Sequence, residues 1–139
     1  MAVTHGKGSV IKLDDDGGTL RDISAAVNNV DFSEVVELAE DTAYGDSAKS
    51  YIVGLRDATF TIAGLWDDAA TTGTYTVIAS LIDGYTGTFE FGPEGGDSGD
   101  IKYSGECICT SFQTGAPVGD IVSFTANFQV TGAVSRGTF

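Results

Sequence analysis

Val118-Gly-Asp-Ile-Val-Ser-Phe-Thr-Ala-Asn-Phe-Gln-Val130 is the most regular stretch of this chain. Val122, Phe124, Ala126, Phe128 and Val130 fall on one parity, with Ser123, Thr125, Asn127 and Gln129 on the other. Side chains on a strand alternate between its faces, so this period of two predicts a half-buried β-strand about twice the usual length. Just upstream, residues 100–112 read as a second long strand, and Gln113-Thr-Gly-Ala-Pro-Val-Gly-Asp120 supplies the Gly and Pro of a connection. Residues 100–132 are therefore expected to form an extended C-terminal hairpin.

The same alternation appears from Ala58 to Trp66, where Ala58, Phe60, Ile62, Gly64 and Trp66 share one parity and predict a core face. Residues 9–13 and 20–23 flank Asp14-Asp-Asp-Gly-Gly18, whose glycines suit a tight turn. A short third strand is expected over 26–32. Residues 33–50 then break the rhythm and read as a long acidic loop, in which Val35-Val-Glu-Leu-Ala-Glu-Asp41 has at most one or two helical turns. A helix is expected over 74–83, because Tyr75, Ile78, Ala79 and Ile82 fall at i, i+3, i+4 and i+7. A strand over 86–91 and a flexible acidic turn over 92–100 follow. Residues 1–8 read as an N-terminal arm.

With 139 residues, 42% of them hydrophobic, the chain has the size and composition of a single folded domain. Its 20 acids against 7 bases leave a formal charge of -13. Seven acids and no base lie between Arg21 and Lys49, and eight acids and no base between Arg56 and Lys102. Tight DNA binding neutralises phosphates with clustered Lys and Arg, so this balance argues against a protein that grips nucleic acid. The opening residues contain no apolar run of signal-peptide length and no segment is long enough to span a bilayer, so synthesis in the cytoplasm and no membrane partner are expected. Cys107 and Cys109, two apart, point to the same face of a strand and are expected as reduced, buried thiols.

Catalytic chemistry finds little to work with. His5 is the sole histidine and sits in the terminal arm, which leaves no general base or triad. A zinc site from Cys107, Cys109 and His5 lacks a fourth soft ligand. The acidic turn at 14–18 lacks the alternating ligands of a calcium loop, with Ile23 where its Glu would stand. Gly6-Lys-Gly-Ser9 lacks phosphate-loop spacing. No catalytic residue, metal or cofactor is expected.

The C-terminal residues Tyr103-Ser-Gly-Glu-Cys-Ile-Cys-Thr-Ser-Phe112, Gly115-Ala-Pro-Val-Gly-Asp120 and Val122-Ser-Phe-Thr-Ala-Asn-Phe-Gln-Val-Thr-Gly132 resemble the closing hairpin of the long-tailed bacteriophage tail tube family, also called major tail proteins. In that family a strand enters a small-Pro-x-Gly-Asp connection and returns through an alternating strand ending in Val-Thr-Gly. Gly6-Lys-Gly-Ser-Val10, Arg21-Asp-Ile-Ser24 and Leu55-Arg-Asp-Ala-Thr-Phe-Thr-Ile-Ala-Gly-Leu-Trp-Asp-Asp-Ala69 are similar to its early strands, so the resemblance covers nearly the whole chain.

The resemblance implies a mainly β domain, a β-sandwich or partial barrel with one flanking helix and a long acidic loop. It further implies a non-enzymatic virion protein that self-assembles into stacked hexameric rings, a conduit through which viral DNA passes without sticking. A tape measure protein and tail-end proteins would be its partners. The lumen-facing candidates are then Ser123, Thr125, Asn127 and Gln129, with acids from Asp31, Glu34, Glu106 and Asp120. The loop that reaches an adjacent ring is expected to use Val35, Glu37, Leu38, Glu40, Asp41, Tyr44 and Asp46. The competing reading is a monomeric β-sandwich binding module of adhesin or carbohydrate-binding type, which would need an exposed aromatic platform or a calcium cluster. A small hydrolase is disfavoured by the lack of a usable histidine.

Overall fold

In the computed structural model, which describes residues 3–15 and 17–139, seven strands and one α-helix follow one another, with short 3-10 turns at Gly6–Gly8 and Ser24–Ala26. They are β1 (Val10–Asp14), β2 (Leu20–Asp22), β3 (Val27–Glu40), β4 (Tyr51–Leu65), α1 (Thr74–Ile82), β5 (Thr86–Gly92), β6 (Ile101–Gly115) and β7 (Ser123–Thr138). Met1 and Ala2 of the expected arm, and Asp16 of the acidic turn, lie outside the described residues. All pairings are antiparallel, in a single sheet of order β2-β1-β5-β6-β7-β4-β3.

The sheet is rolled. In a flat sheet β5 and β3, four places apart, would be separated by about 19 Å. Yet the rings of Phe32 on β3 and Phe89 on β5 have centroids 5.8 Å apart, and Phe32 stacks on Tyr103 of β6 at 5.1 Å. Of the two expected architectures, the chain therefore takes the partial barrel. Burying this aromatic set is what drives the closure, since each such ring removes a large apolar area from water. Phe60, Phe89, Phe128, Leu13, Ile62 and Ile78 are among the fully buried side chains. Gly64 fits because any Cβ there would run into the backbone of Ala26 and Val27 where β3 begins.

The alternating parities hold. Ala58, Phe60 and Ile62 on β4 and Phe124, Ala126, Phe128 and Val130 on β7 all point into the barrel. The strand itself begins at Ser123, five residues later than expected, because Pro117 to Asp120 form a turn closed by the Asp120 N–H on the Pro117 carbonyl. It also continues past the expected end at 132 to Thr138: Gly132, with φ 84°, sits in a bulge that lets β7 stay paired with β6.

Three further expectations are corrected. Residues 33–50 are not all loop, because 33–40 continue β3 and pair with 51–59 of β4, leaving only 41–50 as the connection. The helix has a different buried face: Val77, Ile78 and Leu81 pack against the sheet, whereas Tyr75 and Ile82 are exposed. Periodicity located the helix but not its rotation, because apolar residues occupy both stripes. Trp66 lies just beyond β4 and packs at a tilt against Tyr75, centroids 5.0 Å apart, instead of entering the core. Thr74, fully buried, ties the helix to the end of β4 by donating its hydroxyl to the Leu65 carbonyl at 2.7 Å and accepting from the Asp67 N–H at 3.1 Å.

Candidate assembly surface

Two surfaces remain once the core is accounted for. The first is the outward face of the rolled sheet. Register places Asp31 opposite Thr61, Thr61 opposite Asn127, and Asn127 opposite Ser111, all on the parity facing away from the core. The side chains join into a hydrogen-bonded row: Thr61 Oγ1 donates to Asn127 Oδ1 at 2.8 Å and Asn127 Nδ2 donates to Ser111 Oγ at 2.8 Å. Gln129 Nε2 donates to Asp57 Oδ1 at 2.6 Å, and Thr88 Oγ1 donates to Glu106 Oε1 at 2.6 Å. Cross-strand polar pairs of this kind hold side chains flat against the sheet and add modestly to its stability.

Of the eight residues proposed for a lumen, Thr125, Asn127, Gln129, Asp31 and Glu106 share this face, with Ser123 at its end. Glu34 does not. It stands opposite Ala58 on the inward parity and pairs with Arg136 at 2.8 Å, where β4 and β7 diverge. Asp120 lies in the exposed turn before β7. The register brings no Lys or Arg onto the outward row from Thr59 to Ala63, from Ser123 to Thr131, or from Glu106 to Gly115.

The second surface is the far half of the β3–β4 hairpin. β4 pairs with β7 only from Thr59 to Leu65, so residues 51–58 have β3 as their sole partner and the hairpin projects as a two-stranded arm. Its residues 33–57 are all exposed. Leu55 is 77% exposed, Val53 71% and Leu38 61%, with Val35, Ile52 and Tyr51 about half exposed. Apolar side chains exposed on both faces of a two-stranded ribbon are unusual for a monomer. The outer edge of β3, 14 residues long, is paired on one side only. Every residue expected to contact an adjacent ring lies here: Val35, Glu37, Leu38 and Glu40 on β3, and Asp41, Tyr44 and Asp46 in the loop at the tip. That loop is braced by the Asp41 N–H on the Ser50 carbonyl and by Asp46, which accepts from the Ala43 N–H at 2.6 Å. Ile52, Val53 and Leu55 escaped the sequence reading, which began the strand at Ala58. Their apolar run was visible, but only the pairing shows that it reaches solvent.

The residues weighed for chemistry lie as follows. His5 is exposed and accepts a hydrogen bond from the Lys7 N–H. Cys107 and Cys109 are unpaired and buried. Burial pushes the Cys107 thiol up to about 12 and the Cys109 thiol to about 11, so neither is a nucleophile near neutral pH. No cluster of three metal-ligating side chains occurs among the described residues, and no described helix is long and apolar enough to cross a membrane.

No protein family's sequence profile matches the chain, and no curated protein matches it. Solved structures do share its fold. The tail of an empty gene transfer agent (GTA) particle, refined helically with C6 symmetry, superposes with a TM-score of 0.81 at 21% identity, over 98% of this chain and 100% of the other. A chain of the native GTA virion gives 0.79 at 23% identity, with the same coverage. The SPP1 tail tube gives 0.77 at 11% identity, over 99% of this chain and 80% of the other. At such identities the likeness is one of fold, and end to end this chain has the fold of the tail tube proteins.

Proposed function

We propose that this protein is a structural subunit of a virus tail, not an enzyme, and that its copies assemble into stacked six-membered rings forming the tube through which DNA leaves the particle. The observation that carries the reading is the projecting arm: a 14-residue strand edge paired on one side, with apolar side chains on a ribbon that has no core of its own. Such an edge is a template for another strand, and a fold that keeps one exposed needs a partner to cover it. The superposed GTA tail has C6 symmetry, which supports six copies per ring here.

The outward polar face is the natural lining of the conduit. Its centre is Ser, Thr, Asn and Gln, satisfied by one another, with the acids Asp31, Asp57 and Glu106 around it; the same parity carries Lys12 and Lys102 beside Glu90 only at the β1–β5–β6 end. Phosphates are repelled by these acids and find no cation on the β4–β6–β7 centre to displace their counterions. A strand-lined channel of this kind lets duplex DNA slide.

Sedimentation across a wide concentration range, with negative-stain microscopy of the same samples, tests the proposal. Rings or tubes are expected above a threshold concentration. A protein that stays monomeric throughout is instead the binding module, and the tube reading falls.

A further inference from the structure

We infer that Phe139 is a positioning residue of the conduit wall: its ring gathers Lys12 and Lys102, the two cations of the outward face, and holds them down on the sheet, away from passing phosphates. The inference rests on the assembly reading above and names the residue that keeps its lining from sticking to DNA.

The pairing places each of the seven bases. Lys12 on β1 stands opposite Glu90 and lies between the buried Ile11 and Leu13, which turns it outward. Lys102 on β6 precedes Tyr103, whose ring stacks on Phe32 inside the barrel, so it too points outward. Arg21 and Arg136 stand opposite Leu13 and Tyr103 on the inward parity. Arg56 lies on the arm, and Lys7 and Lys49 lie outside the strands. Lys12 and Lys102 are therefore the cations that the rolled sheet presents to anything passing along its outward face.

Phe139 sits between them. Both ammonium groups are 5.4 Å from the centroid of its ring, within cation–π range. The ring is seated by its own backbone: the Phe139 N–H donates to the Asp100 carbonyl at 3.0 Å, and its carbonyl accepts from the Gly99 N–H at 3.1 Å. Beneath it is Gly92, where any Cβ would stand 2.6 Å from the ring edge, so the glycine leaves the hollow that the ring fills. Gly137, opposite Lys102, adds no side chain that would push that lysine upright. Glu90 completes the group 3.8 Å from Lys102 Nζ, and the Lys102 side chain is only 25% exposed. Lys12 is half-buried as well, whereas Lys7 and Lys49 are exposed. A lysine on its flexible stem extends to water unless something holds it, and a lone surface ion pair holds it weakly. The shared ring is the contact common to both lysines.

Variants at Phe139 test the role. In the soluble wild-type protein the ε-methylene protons of Lys12 and Lys102 are expected upfield of those of Lys7 and Lys49 by NMR, because they lie over a ring, and Phe139→Ala is expected to bring all four together. Tubes of Phe139→Ala are expected to retain duplex DNA at low salt, with about one unit of added slope of log affinity against log salt for each lysine that engages a phosphate. Phe139→Leu, which fills the hollow without a ring, is expected to retain DNA too. The triple variant Phe139→Ala, Lys12→Gln, Lys102→Gln is expected to retain none, a rescue that a merely structural effect of losing the ring would not give. Unshifted lysine protons in the wild type, Phe139→Ala or Phe139→Leu tubes that pass DNA as freely as wild type, or a triple variant as retentive as Phe139→Ala would overturn this role and leave the tube reading standing. Wild-type protein that never assembles would sink both.

Discussion

Phe124 and Phe128 show how a single parity divides two jobs. Both rings are buried, Phe128 stacked on Phe60 at 4.7 Å, while Thr125 and Asn127 between and beside them face outward. Truncating such a ring costs about 3–5 kcal/mol, and a carboxylate in its place adds an unpaired buried charge. Phe124→Asp is therefore expected to abolish the cooperative thermal transition, and Asn127→Asp to leave it within a few degrees. The thiols make a second prediction at this scale. Their pKa values are raised by burial, so the folded state keeps protons that an ordinary thiol surrenders near 9.0. Their contribution to stability is complete below that pH and is lost as pH climbs towards about 12 for Cys107 and about 11 for Cys109. Urea midpoints from pH 8 to 11 should fall more steeply for the native chain than for Cys107→Ala, Cys109→Ala.

At the scale of elements the arm separates folding from assembly. It adds no residue beyond Ala58 to the buried core, and the barrel closes through β3 only as far as Phe32. Replacing residues 37–55 by Asn-Gly joins the paired positions Val36 and Arg56 through a two-residue hairpin turn. That variant is expected to remain a folded monomer and to lose polymerisation altogether, as read by sedimentation. In the full chain, amides of residues 33–40 should exchange within seconds in the monomer, because only β4 partners them, and should become protected by a factor of roughly 100 or more in tubes. Equal exchange in the two states would remove the arm from the interface.

For the whole molecule the net charge of -13 is spread, not focused, so its consequence is a property of the tube. Wild-type tubes are expected to retain no duplex DNA at physiological salt. Glu106→Lys swaps the acid bonded to Thr88 for a cation on the outward face, once per subunit and six times per proposed ring. Each additional phosphate that a cation neutralises adds about one unit to the slope of log affinity against log salt. Retention that appears at low salt and vanishes as salt rises puts Glu106 in the lumen. Salt-sensitive binding by the wild type would contradict the repulsive conduit.

The period-two patterns at 58–66 and 118–130 carried the β class, the core parity of β4 and β7 and the outward polar row, because alternation is a local property of any strand with one wet face. The helix span was equally legible. The sequence could not place the arm: a ribbon exposed on both faces has no reason to alternate, so Val35 to Glu40 and Tyr51 to Asp57 looked like loop and prelude until their pairing was seen. Nor did it orient α1, whose rotation was settled by which apolar stripe the barrel left room for. Glu34 was named beside Asp31 as a lumen candidate without a parity, since a loop reading carries none; its pairing with Ala58 puts it on the opposite face. What the chain determined alone was the content of its strands; their roll, the projection of the arm and the uncovered stripe on the helix come from contacts between residues far apart in sequence, such as Phe32 with Phe89.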